Sequence, residues 1–152
     1  MLVKSYSAAV FGVDAKTITV EVNAGGIIAP TKTNYFLVGL PDNAVKEGNQ
    51  RIESAIRNSG YNFPRVKLVI NLAPADIRKE GSAYDLPIAL AVLYATGQIE
   101  TNMLENFMIL GELSLDGSLR PIKGALPIAI QAKRTNYKGI LIPKVNAKEA
   151  AI

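Results

Sequence analysis

At 152 residues, 49% of them hydrophobic and 20% charged, the chain has the composition of one globular domain able to bury about two thirds of its unfolded surface. It holds no cysteine and no histidine, which removes disulfides, thiolate and imidazole metal sites, and every Ser-His-Asp or Cys-His catalytic arrangement. The net charge of +4 permits contact with nucleic acid without demanding it, because the basic residues are scattered rather than massed. No apolar run reaches the roughly 18 residues of a membrane span, and no basic segment leads into an apolar core at the N-terminus, so no membrane partner is expected and the cytoplasm is the default location.

Ala8 to Val13 opens the chain as a strand candidate, with Gly12-Val13-Asp14 as a turn. Ile18, Val20 and Val22 alternate with Thr17, Thr19 and Glu21, the period-2 signature of a half-buried strand. Gly25-Gly26 and Pro30 break the pattern, and Tyr35 to Leu40 forms a third strand; three strands joined by short loops predict an antiparallel meander. A helix follows, capped by Asp42, with Val45, Ile52, Ala55 and Ile56 on one face and Lys46, Glu47, Gln50, Arg51 and Arg57 on the other. Gly60 and Pro64 stop it.

Val66 to Leu72 is the fourth strand. The loop Asp76-Ile77-Arg78-Lys79-Glu80-Gly81 follows and delivers a nearly all-apolar helix from Asp85 to about Thr96. Ser82 and Asp85 are placed to cap that helix, with Asp85 satisfying free amides at its positive end. Met108 to Leu115 is a strand, Asp116-Gly117 a turn, and Leu119 to Pro121 resumes extended structure. Ile122 to Arg134 is helical in spacing, with Pro127 suited only to a first turn. Gly139 to Pro143 is a short core strand, and Ala147 to Ile152 begins a helix that the sequence ends inside, as in a fragment of a longer chain. The order β-β-β-α-β-α-β-β-α-β-α predicts a single α+β domain over residues 1–152, with a mixed sheet and helices mainly on one face.

Several blocks carry a family resemblance: Val38-Gly39-Leu40-Pro41-Asp42, Val45-Lys46-Glu47, Asn58-Ser59-Gly60, Asn71 through Ser82, Asp85 through Leu90, and Gly111 through Gly117. In these the chain resembles the amino-terminal, Lon-protease-like domain of the magnesium-chelatase-related AAA+ ATPases of the ComM/YifB type. The resemblance implies a fold similar to the Lon proteolytic domain and to ribosomal protein S five domain two. It also implies a following ATPase module that carries ATP and magnesium, a hexameric ring, and a part in DNA branch migration during natural transformation. The nucleotide loop itself is absent from these residues: the nearest imitation, Lys16-Thr17, has Val10 and Ala15 where glycines are required. No cofactor is therefore expected in this segment.

Lon-type peptidases use a Ser-Lys dyad, which needs no histidine. Their pattern Lys-Asp-Gly-Pro-Ser-Ala-Gly, laid on Lys79 onward, puts Ala83 at the nucleophile and Ser82 at the preceding proline. Their lysine segment falls on Pro121 to Ile128, with Leu126 and Ile128 at the two lysine positions. An aliphatic side chain accepts no proton, so no catalytic residue is expected; Ser82 with Lys79 or Lys123 is the weaker rescue.

Asp76, Arg78, Lys79, Glu80, Gly81, Ser82 and Asp85 remain as a candidate interaction loop, either a solvated connection or a docking surface for a subunit, the ATPase ring or a phosphate backbone. Arg65, Lys67, Lys133, Arg134, Lys138 and Lys144 form a candidate basic surface for DNA if their segments adjoin. Without tryptophan, base stacking on this surface has little support.

Overall fold

The computed structural model describes residues 1–26 and 34–151. Pro30 and Ile152, which enter the expectations above, lie outside the described residues. Strands β1 (Leu2–Phe11) and β2 (Asp14–Ala24) form a long hairpin about the two-residue turn Gly12-Val13, with Gly12 at φ +61°. Ile18, Val20 and Val22 are fully buried on one face of β2, as their alternation requires.

β3 (Tyr35–Val38) departs from the expected meander. It pairs in parallel with β4 (Leu68–Ala73), and β4 pairs antiparallel with β2. Leu68, Ile70 and Leu72 of β4 are fully buried and stand opposite Ala24, Val22 and Val20, so the more apolar strand takes the inner place. β3, with only Tyr35 and Leu37 half-buried, is left at the edge. A parallel neighbour needs a crossover, and helices α1 (Asn43–Lys46) and α2 (Gly48–Asn58) supply it. The one expected helix is thus two, broken at Glu47.

The six-stranded sheet runs β3-β4-β2-β1-β5-β8, with β5 at Phe107–Ile109 and β8 at Gly139–Leu141. The pairings make β2 the one strand opposed to the rest. β8 is a half-buried edge rather than the core strand expected. The expected strand from Met108 to Leu115 also divides. After β5 the chain turns at Leu110-Gly111 because the Gly111 amide donates to the Ala83 carbonyl (2.8 Å) and its carbonyl accepts from Leu86 (3.0 Å). A short hairpin follows, β6 (Glu112–Leu113) against β7 (Leu119–Arg120).

Helices α2 and α3 (Asp85–Ala95) cover one face of the sheet and enclose the larger core, Ile52, Ala55, Ile56, Ile88 and Val92 against Ile18, Val20, Val22 and Ile70. Ser5, buried under α3, donates its hydroxyl to the Pro87 carbonyl (3.0 Å), so a small polar residue satisfies itself where a larger one would hold the helix off. Helix α4 (Ala125–Arg134) packs Ala125, Ile128 and Ala132 on the opposite face, against Ala8, Ala15 and Met108. It starts after Gly124 (φ +79°) rather than at Ile122, and Pro127 falls in its first turn as expected. The short helix α5 (Ala147–Ala150) ends the described chain.

Gly39 fixes the approach of the segment after β3. Its φ is +113°, and a Cβ there would lie 2.1 Å from the Leu72 carbonyl oxygen. Gly39→Ala is expected to cost about 3 kcal/mol or more, since it adds both strain and a backbone collision. Calorimetry of the variant checks this; an unchanged Tm would mean that the two segments do not approach so closely.

Candidate functional site

The charged loop after β4 is stitched down by its backbone. The Lys79 amide donates to Leu40 (3.0 Å), and the Asp42 amide donates to Lys79 (2.9 Å). Asp42 caps α1 as expected, accepting from the Val45 amide at 2.9 Å, and its second oxygen accepts from the Gly81 amide at 3.1 Å. Gly81 sits at φ +86°, where glycine is favoured, and Leu40 at φ +55°.

The loop is not uniformly solvated. Lys79 is fully buried, and its ammonium donates to the Pro74 carbonyl. Burial pulls the Lys79 pKa below the ordinary lysine range, and the nearby Asp76 charge partly offsets it. Asp76, Arg78 and Glu80 face solvent; Arg78 and Glu80 pair at 3.3 Å, an exposed contact of small energetic weight.

Asp85 and Ser82 do not cap α3. The residue before the helix is Tyr84, with no side-chain cap. The Asp85 carboxylate instead takes two bonds from Arg51 of α2, at 2.6 and 3.1 Å, and one from the Leu113 amide of β6 at 3.1 Å. A guanidinium fork and a buried amide together outweigh a local cap that water could replace. Burial pushes the Asp85 carboxyl up, and Arg51 and the Leu113 amide pull against it. Arg51 is raised in turn, chiefly by its hydrogen bond to Asp85. The Leu86 amide, which a cap would have served, finds the Gly111 carbonyl. Gly48 makes room: a Cβ there would stand 2.7 Å from an Asp85 oxygen.

The Ser82 hydroxyl donates to Glu112 of β6, whose other oxygen lies 3.5 Å from the Arg120 guanidinium. Beside them opens a cleft of about 740 Å³, lined by Ala8 to Phe11 at the end of β1, by Gly81 to Tyr84 at the mouth of α3, and by Pro121, Ile122 and Lys123. It lies off the carboxyl ends of β1, β4 and β5, where sheets of mainly parallel strands place their ligand sites.

Ala83, which the Lon pattern laid on the sequence sets at the nucleophile's position, lines this cleft. Ile128 is buried in the smaller core, and Leu126 is half-buried with its amide donated to Glu149. Lys123 lines the cleft, but the hydrogen bond of Ser82 goes to a carboxylate. Among the described residues no group of three or more acidic side chains is placed to hold a metal ion.

The six candidate basic residues are all exposed and do not form one stripe. Arg65 and Lys67 precede β4 near one sheet edge, with the Lys67 ammonium 5.4 Å over the Phe36 ring. Lys133 and Arg134 close α4, and Lys138 precedes β8 at the other edge. Because β4 and β8 run the same way, these five share one end of the sheet, while Lys144 follows β8 at the opposite end. The pairing of Arg51 escaped the sequence reading. Arg51 looks like any charge on a polar helix face, and its partner lies 34 positions away.

A family model described as subunit ChlI of Mg-chelatase matches residues 18–146. The chain is 44% identical over 147 residues to YifB of Escherichia coli (strain K12) and 40% identical over 147 residues to competence protein ComM of Haemophilus influenzae. Each of these matches covers 97% of this chain and 28% of the relative, so the chain spans under a third of their length. It is also 26% identical over 129 residues to the Lon protease of Protochlamydia amoebophila, covering 80% of this chain and 15% of that one.

Asp85→Asn is expected to destabilise the chain by about 3 kcal/mol, because it leaves a half-buried guanidinium without its counter-charge. A double-mutant cycle with Arg51→Met should give a coupling of about 2 kcal/mol in denaturant unfolding. Additive losses would show that the pair does not act as a unit.

Proposed function

The chain belongs to the family of magnesium-chelatase subunit ChlI, with ComM and YifB among its relatives, and on that premise we propose that it is a non-catalytic accessory domain of an AAA+ ATPase. Its work is to position subunits, partners or DNA relative to the motor. Nucleotide and magnesium belong to an ATPase segment beyond these residues, and the parent protein works as a cytoplasmic hexameric ring. The name of the Haemophilus relative points to competence, and ATP-dependent branch migration of DNA during natural transformation is the activity that the family resemblance implies.

The observation that supports this reading is how the polar groups around the cleft are bonded. The Lon pattern sets the methyl group of Ala83 at the nucleophile's position, the neighbouring Ser82 hydroxyl is bonded to Glu112, and the ammonium of Lys79 is spent on a backbone carbonyl. A Ser-Lys dyad requires the hydroxyl and a neutral amine in contact, and neither lysine of the rescue supplies that pairing. Incubation with casein and a fluorophosphonate probe is expected to give neither cleavage nor labelling. Modification of Ser82 would overturn the assignment.

A second reading, direct contact with DNA, is favoured by two basic groups, Arg65 with Lys67 near one sheet edge and Lys133, Arg134 and Lys138 at the other, that lie toward the same end of the sheet. On this reading branched DNA is retarded in a gel at low salt, and the shift fades as salt rises because phosphate contacts release counterions. Lys133→Glu with Arg134→Glu should abolish it. No retardation at low salt would remove DNA contact by this domain.

A further inference from the structure

Strand β1 outruns its neighbour on one side. It pairs with β2 from Leu2 opposite Asn23 to Phe11 opposite Asp14, but meets β5 only at Tyr6 opposite Met108. At the open end of the hairpin the Met1 ammonium donates to the Ala24 carbonyl and the Ala24 amide to the Met1 carbonyl. Successive residues of a strand turn their N–H and C=O to opposite edges. The odd-numbered residues of β1 therefore bond β2, and the even-numbered ones, including Ala8 and Val10, face the other edge.

Past Ile109 nothing among the described residues pairs with that edge. Leu110 gives its amide to Leu141, and Gly111 gives its amide to Ala83. Val10 accordingly turns an amide and a carbonyl toward the cleft. The lining agrees: Ala8, Ala9, Val10 and Phe11 all border it. Side chains of successive strand residues point to opposite faces, so four in a row on one cleft means that the strand meets it edge-on.

The charges of the lining are Asp42, Glu80 and Glu112 against Arg78 and Lys123, an excess of carboxylate that disfavours a phosphate backbone. Unpaired strand edges are instead recognised by extended polypeptide, which supplies the matching ladder. We propose that the cleft binds an extended segment of a partner protein, which adds as a strand along β1 at Val10 and is not cut; this rests on the reading of the cleft as non-catalytic. The aliphatic surface of Ala9, Ala83 and Ile122 flanks the added strand, so specificity for side chains is modest and favours aliphatic residues.

Reduced, carboxymethylated α-lactalbumin, which stays unfolded and offers many extended segments, is the probe for the 152-residue chain. Fluorescence anisotropy should show binding, and amide exchange at Val10 should slow by about tenfold or more in the complex, as for any newly protected ladder amide. Val10→Pro removes the cleft-facing donor while sparing the bonds to β2, and should weaken binding about fivefold, the worth of one backbone hydrogen bond. Should that variant fail to fold by circular dichroism, the exchange measurement on the natural chain still decides. No binding, binding without slowing at Val10, or displacement of the probe by single-stranded oligothymidine would overturn the inference. Cleavage of the probe would overturn the proposed function as well, whereas an intact, unbound probe overturns this inference alone.

Discussion

One buried carboxylate organises this domain. Asp85 joins three elements distant in the chain: Arg51 on α2, its own helix α3, and the Leu113 amide on β6. An unpaired charge in that place would cost several kcal/mol, so the arrangement is tolerated only if all three elements arrive together. It acts as a registration device as much as a source of stability. With Leu113 held, Glu112 is placed to receive the Ser82 hydroxyl, and with α2 held, Gly48 can approach the carboxylate. The mouth of the cleft is thus set by an interaction that does not line it.

The loop that borders the cleft is rigid for related reasons. Burying an ammonium is costly, and the Lys79 site offsets that cost with a carbonyl and the nearby Asp76 charge. Backbone bonds to Leu40 and Asp42 and the side-chain bond from Gly81 to Asp42 fix the rest. A preformed surface loses less conformational entropy on binding than a mobile one. The density of fixed contacts in this loop therefore serves shape, whatever occupies the cleft. Apolar side chains join the packing as well: Ile128 lies within the smaller core and Ala83 rests against it.

The elements whose signal is local were legible. The alternation of Ile18, Val20 and Val22 marked β2, and Pro127 marked the first turn of α4. The class of fold could be read from the residues in order. What escaped depends on pairs remote in the chain. The place of β3 follows from a competition with β4 for the inner position, which no window of sequence contains. Lys79 looks like its neighbours Arg78 and Glu80, because a charge carries no mark of direction in an irregular loop. Asp85 looks like a cap because caps need only local geometry, while its actual partner is one of several arginines on polar faces.

The topology explains why the cleft is tied to the fold. Of the six strands only β2 is reversed, so the carboxyl ends of β1, β4 and β5 converge on one side and their following loops must turn away in different directions. β4 continues into the pinned loop, β5 is diverted at Gly111 toward α3, and β1 ends in its hairpin with one edge uncovered. Closing the gap would require β5 to run further beside β1, and that would take Gly111 from Ala83 and Leu86 and unseat the start of α3. The opening is therefore bound to the same contacts that hold the core. Replacing a lining side chain such as Ala83 would leave the cleft in place, whereas removing the cleft would change the fold.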